Sequence, residues 1–231
     1  MQERLESMDL KQPKIKILIA DDHPLVRHAL KNILEKAPDF QIVGEANNGQ
    51  EALEFANDIK PDVVIMDISM PILNGLEATR QIKRDNSNIA ILVLTIHEDD
   101  DYILGILEAG AAGYLVKSVF GDEVIQAVRA VIAGEMVLSD PIGKRVLQLA
   151  TRYPTKPLVI DGGESLSTKE IEVLKLASLG LSNKMIAVKL DISLRTVKGH
   201  FVDIFSKLRV ASRTEAVIKG LRMGLISLDE S

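Results

Sequence analysis

Five polar residues stand where apolar runs end in the first half of the chain. Asp21 and Asp22 follow the first run, Asp67 follows the third, Thr95 closes the fourth, and Lys117 follows the fifth. Three carboxylates held close together repel one another, so this group favours a hard divalent cation with oxygen ligands, and Mg²⁺ is the first choice. A carboxylate beside a metal ion and a lysine amine can also attack phosphorus, because both cations stabilise the charge of the transferring group.

Each of these residues also has an ordinary structural interpretation. Asp22 lies two residues before Pro24 and suits the N-cap of a helix. Thr95 alone is more often a strand-end hydroxyl, and Lys117 alone is more often a solvated lysine. Their occurrence together at four of the five strand ends favours the chemical interpretation.

The apolar runs and the segments between them alternate as strand and helix. The run before Asp67 has no polar alternation, which is typical of a strand buried on both faces of a parallel sheet. The predicted strands are Ile15–Ala20, Phe40–Ala46, Val63–Met66, Ala90–Leu94 and Tyr114–Val116, and the predicted helices are Leu25–Ala37, Gly49–Asn57, Leu76–Lys83, Tyr102–Ala109 and Glu123–Ala133. This order predicts a (βα)5 doubly wound, flavodoxin-like parallel sheet whose carboxyl edge gathers the five polar residues.

Composition divides the 231-residue chain in two. The net charge is −5, but residues 165–231 carry 11 Lys and Arg against 7 Asp and Glu, a net +4, and the preceding residues carry −9. An acidic unit joined to a basic one is predicted, and only the basic one suits a phosphate backbone. The absence of cysteine excludes disulfides and thiolate metal sites. The charged start, Met1 to Pro13, and the lack of a long apolar stretch lead us to expect a soluble, cytoplasmic protein without a membrane partner.

Over residues 14–134 the chain resembles the receiver domain of two-component response regulators. The matching residues are Asp21-Asp22, Asp67 with Met70-Pro71 and Gly75, Thr95, Tyr114 and Lys117. The resemblance implies that Asp67 accepts a phosphoryl group from a sensor histidine kinase. It also implies that Asp22, Asp67 and the backbone carbonyl of Ser69 bind Mg²⁺, with Asp21 helping through water. Thr95, Tyr114 and Lys117 would form the switch that responds to the phosphoryl group.

A linker is expected after this domain, over residues 135–163. Asp140-Pro141 predicts the start of a helix that runs to about Thr151. Residues 152–164 carry prolines and glycines without a sustained period, which is typical of a flexible linker. We expect the domain boundary there.

Residues 164–231 predict a small all-α domain of four helices. Ser167 and Glu170 have the spacing of a capping box at the start of the first helix. A short helix over Asn183–Leu190 and a longer one over Leu194–Leu208 are joined by a tight turn, which suggests a helix-turn-helix. The longer helix has an apolar face of Val197, Phe201, Ile204, Phe205 and Leu208, and the opposite face carries Arg195, Lys198, Gly199, Val202, Asp203, Ser206 and Lys207. Charge alone leaves DNA binding about as plausible as a solvated helix pair.

This second half resembles the LuxR-type helix-turn-helix of NarL/FixJ-family regulators. The segments that match are Leu166–Glu170, Leu179–Ala187, Ser193–His200 and Lys207–Ala216. The resemblance implies that Leu194–Leu208 enters the major groove of double-stranded DNA. Lys198 would then read a base edge, Val202 could touch only a thymine methyl, and the residues implied to contact phosphates are Asn183, Lys184, Arg195, Thr196 and Lys207. The last helix, Arg213–Met223, would form a homodimer contact through Val217, Gly220 and Leu221.

The sequence therefore predicts a DNA-binding transcriptional regulator, not an enzyme, that is switched by phosphorylation of Asp67. The alternative is a Mg²⁺-dependent aspartyl-phosphate phosphatase or hydrolase of the haloacid-dehalogenase type. Such enzymes carry a second Asp two residues after the nucleophile, and here that residue is Ser69. A receiver that controls RNA or protein partners is a further alternative, which the helix-turn-helix pattern disfavours.

Overall fold

The computed structural model describes residues 13–96, 100–118, 121–152 and 165–227. An N-terminal α/β domain is followed by a helix and then by a small C-terminal helical domain. The boundary expected at residues 152–164 lies almost wholly outside the described residues. None of the helices in the described ranges is long and apolar enough to cross a membrane.

The N-terminal domain is built on one parallel sheet with strand order β2-β1-β3-β4-β5-β6. The strands are β1 Ile15–Ala20, β2 Phe40–Ala46, β3 Val63–Met66, β4 Ala90–Thr95, β5 Gly113–Val116 and β6 Val137–Leu138. This arrangement confirms the predicted doubly wound receiver fold. The sixth strand was not predicted, because an apolar pair of residues has no period that distinguishes it from a loop.

Five helices cover the two faces of the sheet. They are α1 Pro24–Leu34, α2 Gly49–Ile59, α3 Gly75–Asp85, α4 Asp100–Glu108 and α5 Asp122–Ile132. Alternate residues of each strand point to opposite faces, so Val63 and Ile65 pack with α1 and α5, while Val64 and Met66 pack with α2, α3 and α4. Both faces are apolar, which explains why the β3 sequence shows no alternation.

Helix α6, Asp140–Arg152, returns along the outer edge of α4. Its residues Ile142 and Val146 are buried in the same apolar cluster as Ile103 and Ile106 of α4. The predicted linker helix is therefore an integral part of the N-terminal domain. It shields the β5 side of the sheet before the chain leaves for the C-terminal domain.

The C-terminal domain contains four helices, as predicted. They are α7 Thr168–Ser178, α8 Asn183–Leu190, α9 Leu194–Leu208 and α10 Arg213–Arg222. Each begins after a serine whose hydroxyl accepts a hydrogen bond from a backbone N–H of the first turn. The capping box at Ser167 and Glu170 is present. Val173, Ile186, Val197 and Ile204 are among the residues that form the separate core of this domain.

Helix α10 packs on both domains. One of its sides contributes Ala216 and Val217 to the core of the C-terminal domain. Its other side packs against α4 and α6, and Ile218, only 5% exposed, belongs to the apolar cluster that includes Ile103 and Ile142. Arg222 of α10 also pairs with Glu108 of α4. The two domains thus meet along α10.

Candidate functional site

The carboxyl ends of β1 and β3 bring Asp21 and Asp67 together. The two strands are paired in register, Ala20 beside Met66, and the N–H of Asp67 donates to the carbonyl of Ala20 at 2.8 Å. The next residue of each strand therefore emerges at the same edge of the sheet. Asp21 and Asp67 are both buried there, at 2% and 3% exposure.

Lys117 closes this group from the end of β5. Its N–H donates to the carbonyl of Thr95 at 2.8 Å, which continues the pairing of β4 and β5. Its Nζ lies 2.7 Å from Oδ2 of Asp21 and 3.3 Å from Oδ1 of Asp67. Together with Asp22 these residues are called the carboxylate pocket below. The structure thus brings together four of the five polar strand-end residues. Lys117 contacts Asp21 and Asp67 directly, and Asp22 is the neighbour of Asp21 in the chain.

Burial and charge act against each other in the carboxylate pocket. Burial raises the pKa of Asp67, and the neighbouring Asp21 adds to this, whereas Lys117 opposes it. Burial alone would lower the pKa of Lys117, but its hydrogen bond and charge contacts with Asp21 and Asp67 outweigh burial and raise it. The amine therefore stays protonated, and the pocket carries more negative than positive charge.

Asp22 and an unforeseen residue, His23, complete a group able to hold a cation. One ligand atom from each of Asp21, Asp22, His23 and Asp67 lies within 4.8 Å of all the others. The N-cap of α1 is His23, not Asp22, and no side chain caps this helix. The helix-cap interpretation of Asp22 is therefore wrong. Oδ1 of Asp22 is buried without a hydrogen-bond partner, and Nδ1 of His23 lies 2.7 Å from it.

The loop after Asp67 explains why glycine occupies position 75. The N–H of Gly75 donates to the carbonyl of Ile68 at 2.9 Å, and a Cβ on Gly75 would lie 1.9 Å from the carbonyl oxygen of Asp67. Only glycine allows α3 to begin this close to the carboxylate pocket. Ser69 is exposed in the same loop, two residues after Asp67. Binding of a metal by its carbonyl remains a prediction.

Thr95 and Tyr114 occupy the two strands between the carboxylate pocket and α4. Thr95 is fully buried at the end of β4 and is paired with Val116. Tyr114 is also fully buried, in the apolar cluster that contains Ile103, Ile142 and Ile218. A movement of Tyr114 would therefore act on side chains of α4, α6 and α10.

Both halves of the chain match known families. Residues 17–129 match the response regulator receiver domain, and residues 164–219 match the bacterial regulatory proteins of the luxR family. The transcriptional regulatory protein LiaR of Bacillus subtilis is 39% identical over 213 residues, which cover 92% of this chain and all of LiaR. The chain is a two-component response regulator of the NarL/FixJ family.

Solved structures resemble the response regulator over most of its length. The crystal structure of the response regulator ChrA, from a heme-sensing two-component system, is 35% identical, with a TM-score of 0.51, and the match covers 93% of this chain and 100% of ChrA. A structure of two RcsB dimers bound to two parallel DNAs is 25% identical, with a TM-score of 0.55, and covers 89% of this chain and 98% of RcsB. These relatives share the order of the regulator's two domains.

Helix α9, the expected recognition helix, borders the N-terminal domain with part of its surface. Val197, Phe201, Ile204 and Leu208 of α9 are buried, as expected for its inner face. Lys198 and Val202 are exposed, but they line a cavity of about 300 Å³ whose opposite wall includes Asn88 and Ile132.

Three of the residues expected to contact phosphates have partners within the protein. Asn183 is buried; its side-chain oxygen accepts from Arg213 at 2.9 Å and its amide donates to the carbonyl of Ala133 at 3.4 Å. Lys207 contacts both carboxylate oxygens of Glu170 at 2.8 Å. The hydroxyl of Thr196 is bonded to that of Ser193 at 2.7 Å. Among the other expected contacts, Lys184 and Arg195 are exposed.

The dimer contact expected through Val217, Gly220 and Leu221 remains a prediction, and all three residues pack within the C-terminal domain. Val217 is 4% exposed, Leu221 packs against the same core, and a Cβ on Gly220 would lie 2.8 Å from Leu174. Val217 and Gly220 are buried in the C-terminal domain, and Leu221 is partly buried against the same core. The opposite side of α10, with Ile218, is the one that meets another surface.

Sequence reasoning also missed the buried cations at the boundary between the domains. Lys83 donates to the carbonyls of Ser87 and Ile89, and burial lowers its pKa to about 8. Burial likewise lowers the pKa of Arg213 to about 10, against a weaker opposing effect of Glu135. In the sequence, Arg213 was singled out only by its match to the LuxR-type pattern, and Lys83 was not singled out at all.

Proposed function

We propose that the response regulator accepts a phosphoryl group on Asp67 from a histidine kinase and thereby switches DNA binding by its C-terminal domain. The observation that carries this proposal is the placement of the buried Asp67 carboxylate 3.3 Å from Lys117, beside two further aspartates. A nucleophilic carboxylate with a fixed cation on one side and a site for a second cation is suited to phosphoryl transfer. Ser69, in place of a second acid, disfavours a hydrolase.

The roles of the pocket residues follow from charge. Asp21, Asp22 and Asp67, with the Ser69 carbonyl, would hold Mg²⁺, which neutralises charge on the incoming phosphoryl oxygens. Lys117 stabilises the same oxygens from the opposite side. Once Asp67 is modified, the new oxygens offer acceptors for Lys117 and for the hydroxyl of Thr95.

The route from the pocket to the C-terminal domain runs through one apolar cluster. A shift of Thr95 toward the phosphoryl group would free space into which the ring of Tyr114, on the neighbouring strand β5, could turn. Tyr114 shares its cluster with Ile142 of α6 and Ile218 of α10. Repacking of these side chains would weaken the hold on α10 and let the domains part.

Separation of the domains would free the part of α9 that borders the N-terminal domain. Lys198 and Val202 would leave the cavity at the boundary, and Asn183 would lose its contact with Ala133. The regulator would then bind double-stranded DNA as a homodimer, with α9 in the major groove. The released side of α10 that carries Ile218 is a better candidate for the two-fold contact than Val217, Gly220 and Leu221.

Asp67→Asn tests the phosphorylation step. With Mg²⁺ and acetyl phosphate, the wild-type regulator should acquire an acid-labile phosphoryl group and bind DNA more tightly, whereas Asp67→Asn should acquire none. The matched control is Asp58→Asn, which changes an exposed aspartate on α2 and should behave as wild type. Phosphate-affinity electrophoresis measures the modified fraction. Persistent labelling of the Asp67→Asn variant would contradict the proposal.

Lys198→Ala tests the DNA-binding step. If Lys198 reads a base edge, the change should weaken binding to a selected operator by about 1–3 kcal/mol and leave binding to random DNA nearly unchanged. Lys189→Ala, at an exposed position of α8, is the matched control. Fluorescence anisotropy with both duplexes at one salt concentration gives the two affinities. An equal loss on both duplexes would make Lys198 a phosphate contact instead.

A further inference from the structure

Arg27 lies behind the carboxylate pocket, in the first half of α1. Its side chain is only 12% exposed, yet the carboxylate that it pairs with, that of Glu45, is 3.7 Å from Nε. Nε itself is buried without a hydrogen-bond partner. The closest contact of the guanidinium is with the main chain, because Nη1 donates to the carbonyl of Asp21 at 2.6 Å. The buried cation is thus directed at the backbone of the pocket more closely than at an acidic partner.

The carbonyl of Asp21 needs this donor because the sheet ends beside it. On one side the N–H of Asp21 donates to the carbonyl of Ala46, the last residue of β2, and on the other side the carbonyl of Ala20 accepts from Asp67. The ladder of β1 and β2 goes no further. A buried carbonyl without a donor costs free energy, and Arg27 supplies the donor from α1.

This hydrogen bond fixes the peptide that joins Asp21 to Asp22. A peptide unit is planar, so the direction of its carbonyl also sets the course of the chain into Asp22. The backbone N–H of Arg27 donates to the carbonyl of His23 at 3.2 Å. Arg27 therefore holds both ends of the turn over residues 21–23, and the direction of both carboxylates toward Asp67 depends on that turn.

Glu45 connects this arrangement to β2. It lies beside Ile19 in the pairing of β1 and β2, and its Oε2 faces Nε of Arg27. Its other oxygen, Oε1, accepts from Nζ of Lys31 at 3.0 Å, one turn further along α1. A planar, branched guanidinium can meet a carbonyl with one nitrogen and a carboxylate with another, which a lysine amine on a single stem cannot match. The choice of arginine at position 27 therefore suits a bridge between the pocket and the sheet.

We propose that Arg27 is a positioning residue of the carboxylate pocket, whose guanidinium orients the peptide between Asp21 and Asp22 so that both carboxylates can share one divalent cation with Asp67. The inference rests on the metal site of the proposed function. Arg27 acts on a bound cation in two opposite ways. Its positive charge repels a divalent ion, whereas ligands held in place before binding attract the ion more strongly. The second effect dominates, because Glu45 faces the guanidinium and offsets its charge.

Arg27→Met in the full-length regulator tests the inference. Binding of Mn²⁺, followed by the electron paramagnetic resonance signal of the free ion, should weaken about tenfold. The Mg²⁺ concentration that gives half the maximal rate of Asp67 labelling by acetyl phosphate should rise by about the same factor, while the rate at saturating Mg²⁺ stays within about threefold of the wild type. Lys31→Met is the matched control, because it removes a cation from Glu45 but leaves the carbonyl of Asp21 its donor. Its Mn²⁺ affinity should stay within about twofold of the wild type.

The possible results separate positioning from charge and from the proposed function. Unchanged or tighter Mn²⁺ binding by Arg27→Met would overturn the inference, because only the loss of a repelling charge would then be seen. A slower rate at saturating Mg²⁺ with an unchanged Mn²⁺ affinity would overturn it as well, and would make Arg27 act on the transferring group. If Arg27→Met does not fold, Arg27→Lys decides the question, since it should bind Mn²⁺ more weakly than Lys31→Met does. A wild-type regulator that binds no Mn²⁺ would overturn the metal site of the proposed function itself.

Discussion

The carboxylate pocket and the boundary between the domains both bury cations, but the pKa values of these cations shift in opposite directions. In the pocket Lys117 meets Asp21 and Asp67, and these contacts raise its pKa. At the boundary Lys83 and Arg213 meet mainly carbonyl oxygens, and burial lowers the pKa of Lys83 to about 8 and of Arg213 to about 10. Buried charges cost free energy, and the charges of Glu215 and Glu135 offset only part of the effect of burial on Lys83 and Arg213.

The difference indicates that the carboxylate pocket keeps its arrangement, whereas the boundary between the domains is the part of the regulator that can open. The pocket is preorganised, with an excess of negative charge for a cation. The boundary also buries apolar residues, among them Ile218, which packs with Ile103 and Ile142. A modest change in the N-terminal domain can therefore shift the balance at the boundary.

Lys117→Met should have the largest effect, because it removes the positive charge that pairs with Asp21 and Asp67 in the carboxylate pocket. The rate of phosphorylation of Asp67 by acetyl phosphate should fall about 10²–10³-fold, as when one preorganised charge-stabilising donor is lost. Lys36→Met, at an exposed position, should leave the rate unchanged. Rapid-quench labelling measures it. A rate within a factor of three of the wild type would show that Lys117 does not stabilise the transferring group.

Ile218→Asp should break the boundary and leave the pocket intact. A carboxylate in the apolar cluster costs several kcal/mol, so the unphosphorylated regulator should open, with at least a 100-fold gain in open population. Small-angle X-ray scattering should show a larger radius of gyration. Val188→Asp places the same charge at an exposed site, 82% accessible, on α8, and should leave the radius unchanged. A compact Ile218→Asp variant would contradict the importance of this contact.

Lys83→Met should have the smallest effect of the three, a change in the free energy of unfolding that depends on pH. The ordinary lysine pKa is 10.5 and that of folded Lys83 is about 8, so between these values the unfolded chain binds more protons. The free energy of unfolding of the wild type should therefore rise, relative to Lys83→Met, by about 2 kcal/mol from pH 7 to pH 9.5. Urea unfolding followed by circular dichroism at both pH values measures the difference. Lys14→Met, at an exposed position, should show no such trend.

The carboxylate pocket could be predicted from sequence because each of its residues follows a strand. Asp67 comes directly after β3 and Lys117 directly after β5, so the topology of a parallel sheet alone places them at one edge. His23 escaped prediction because it lies one residue beyond the two strand-end aspartates, at the start of α1, where no sequence pattern singled it out. Strand ends fix positions of the chain, but side-chain directions after them depend on the turn.

The boundary between the domains could not be predicted, because no local sequence pattern indicates which residues form it. Helix α10 has apolar residues around most of its circumference, and the sequence does not tell which of them face the helix's own domain. Val217 and Ile218 are adjacent and similar, yet they belong to different cores. The choice is made by contacts with α4, more than 100 residues earlier in the chain.

The shared helix α10 also couples the stabilities of the two domains. A helix that contributes to two cores cannot unfold from one without loosening the other, so the closed regulator should unfold as a single cooperative unit although it contains two folding domains. When the domains part, that unit divides in two, each with a smaller free energy of unfolding and its own transition. Under the proposed separation of the domains, signalling would include a change in folding cooperativity.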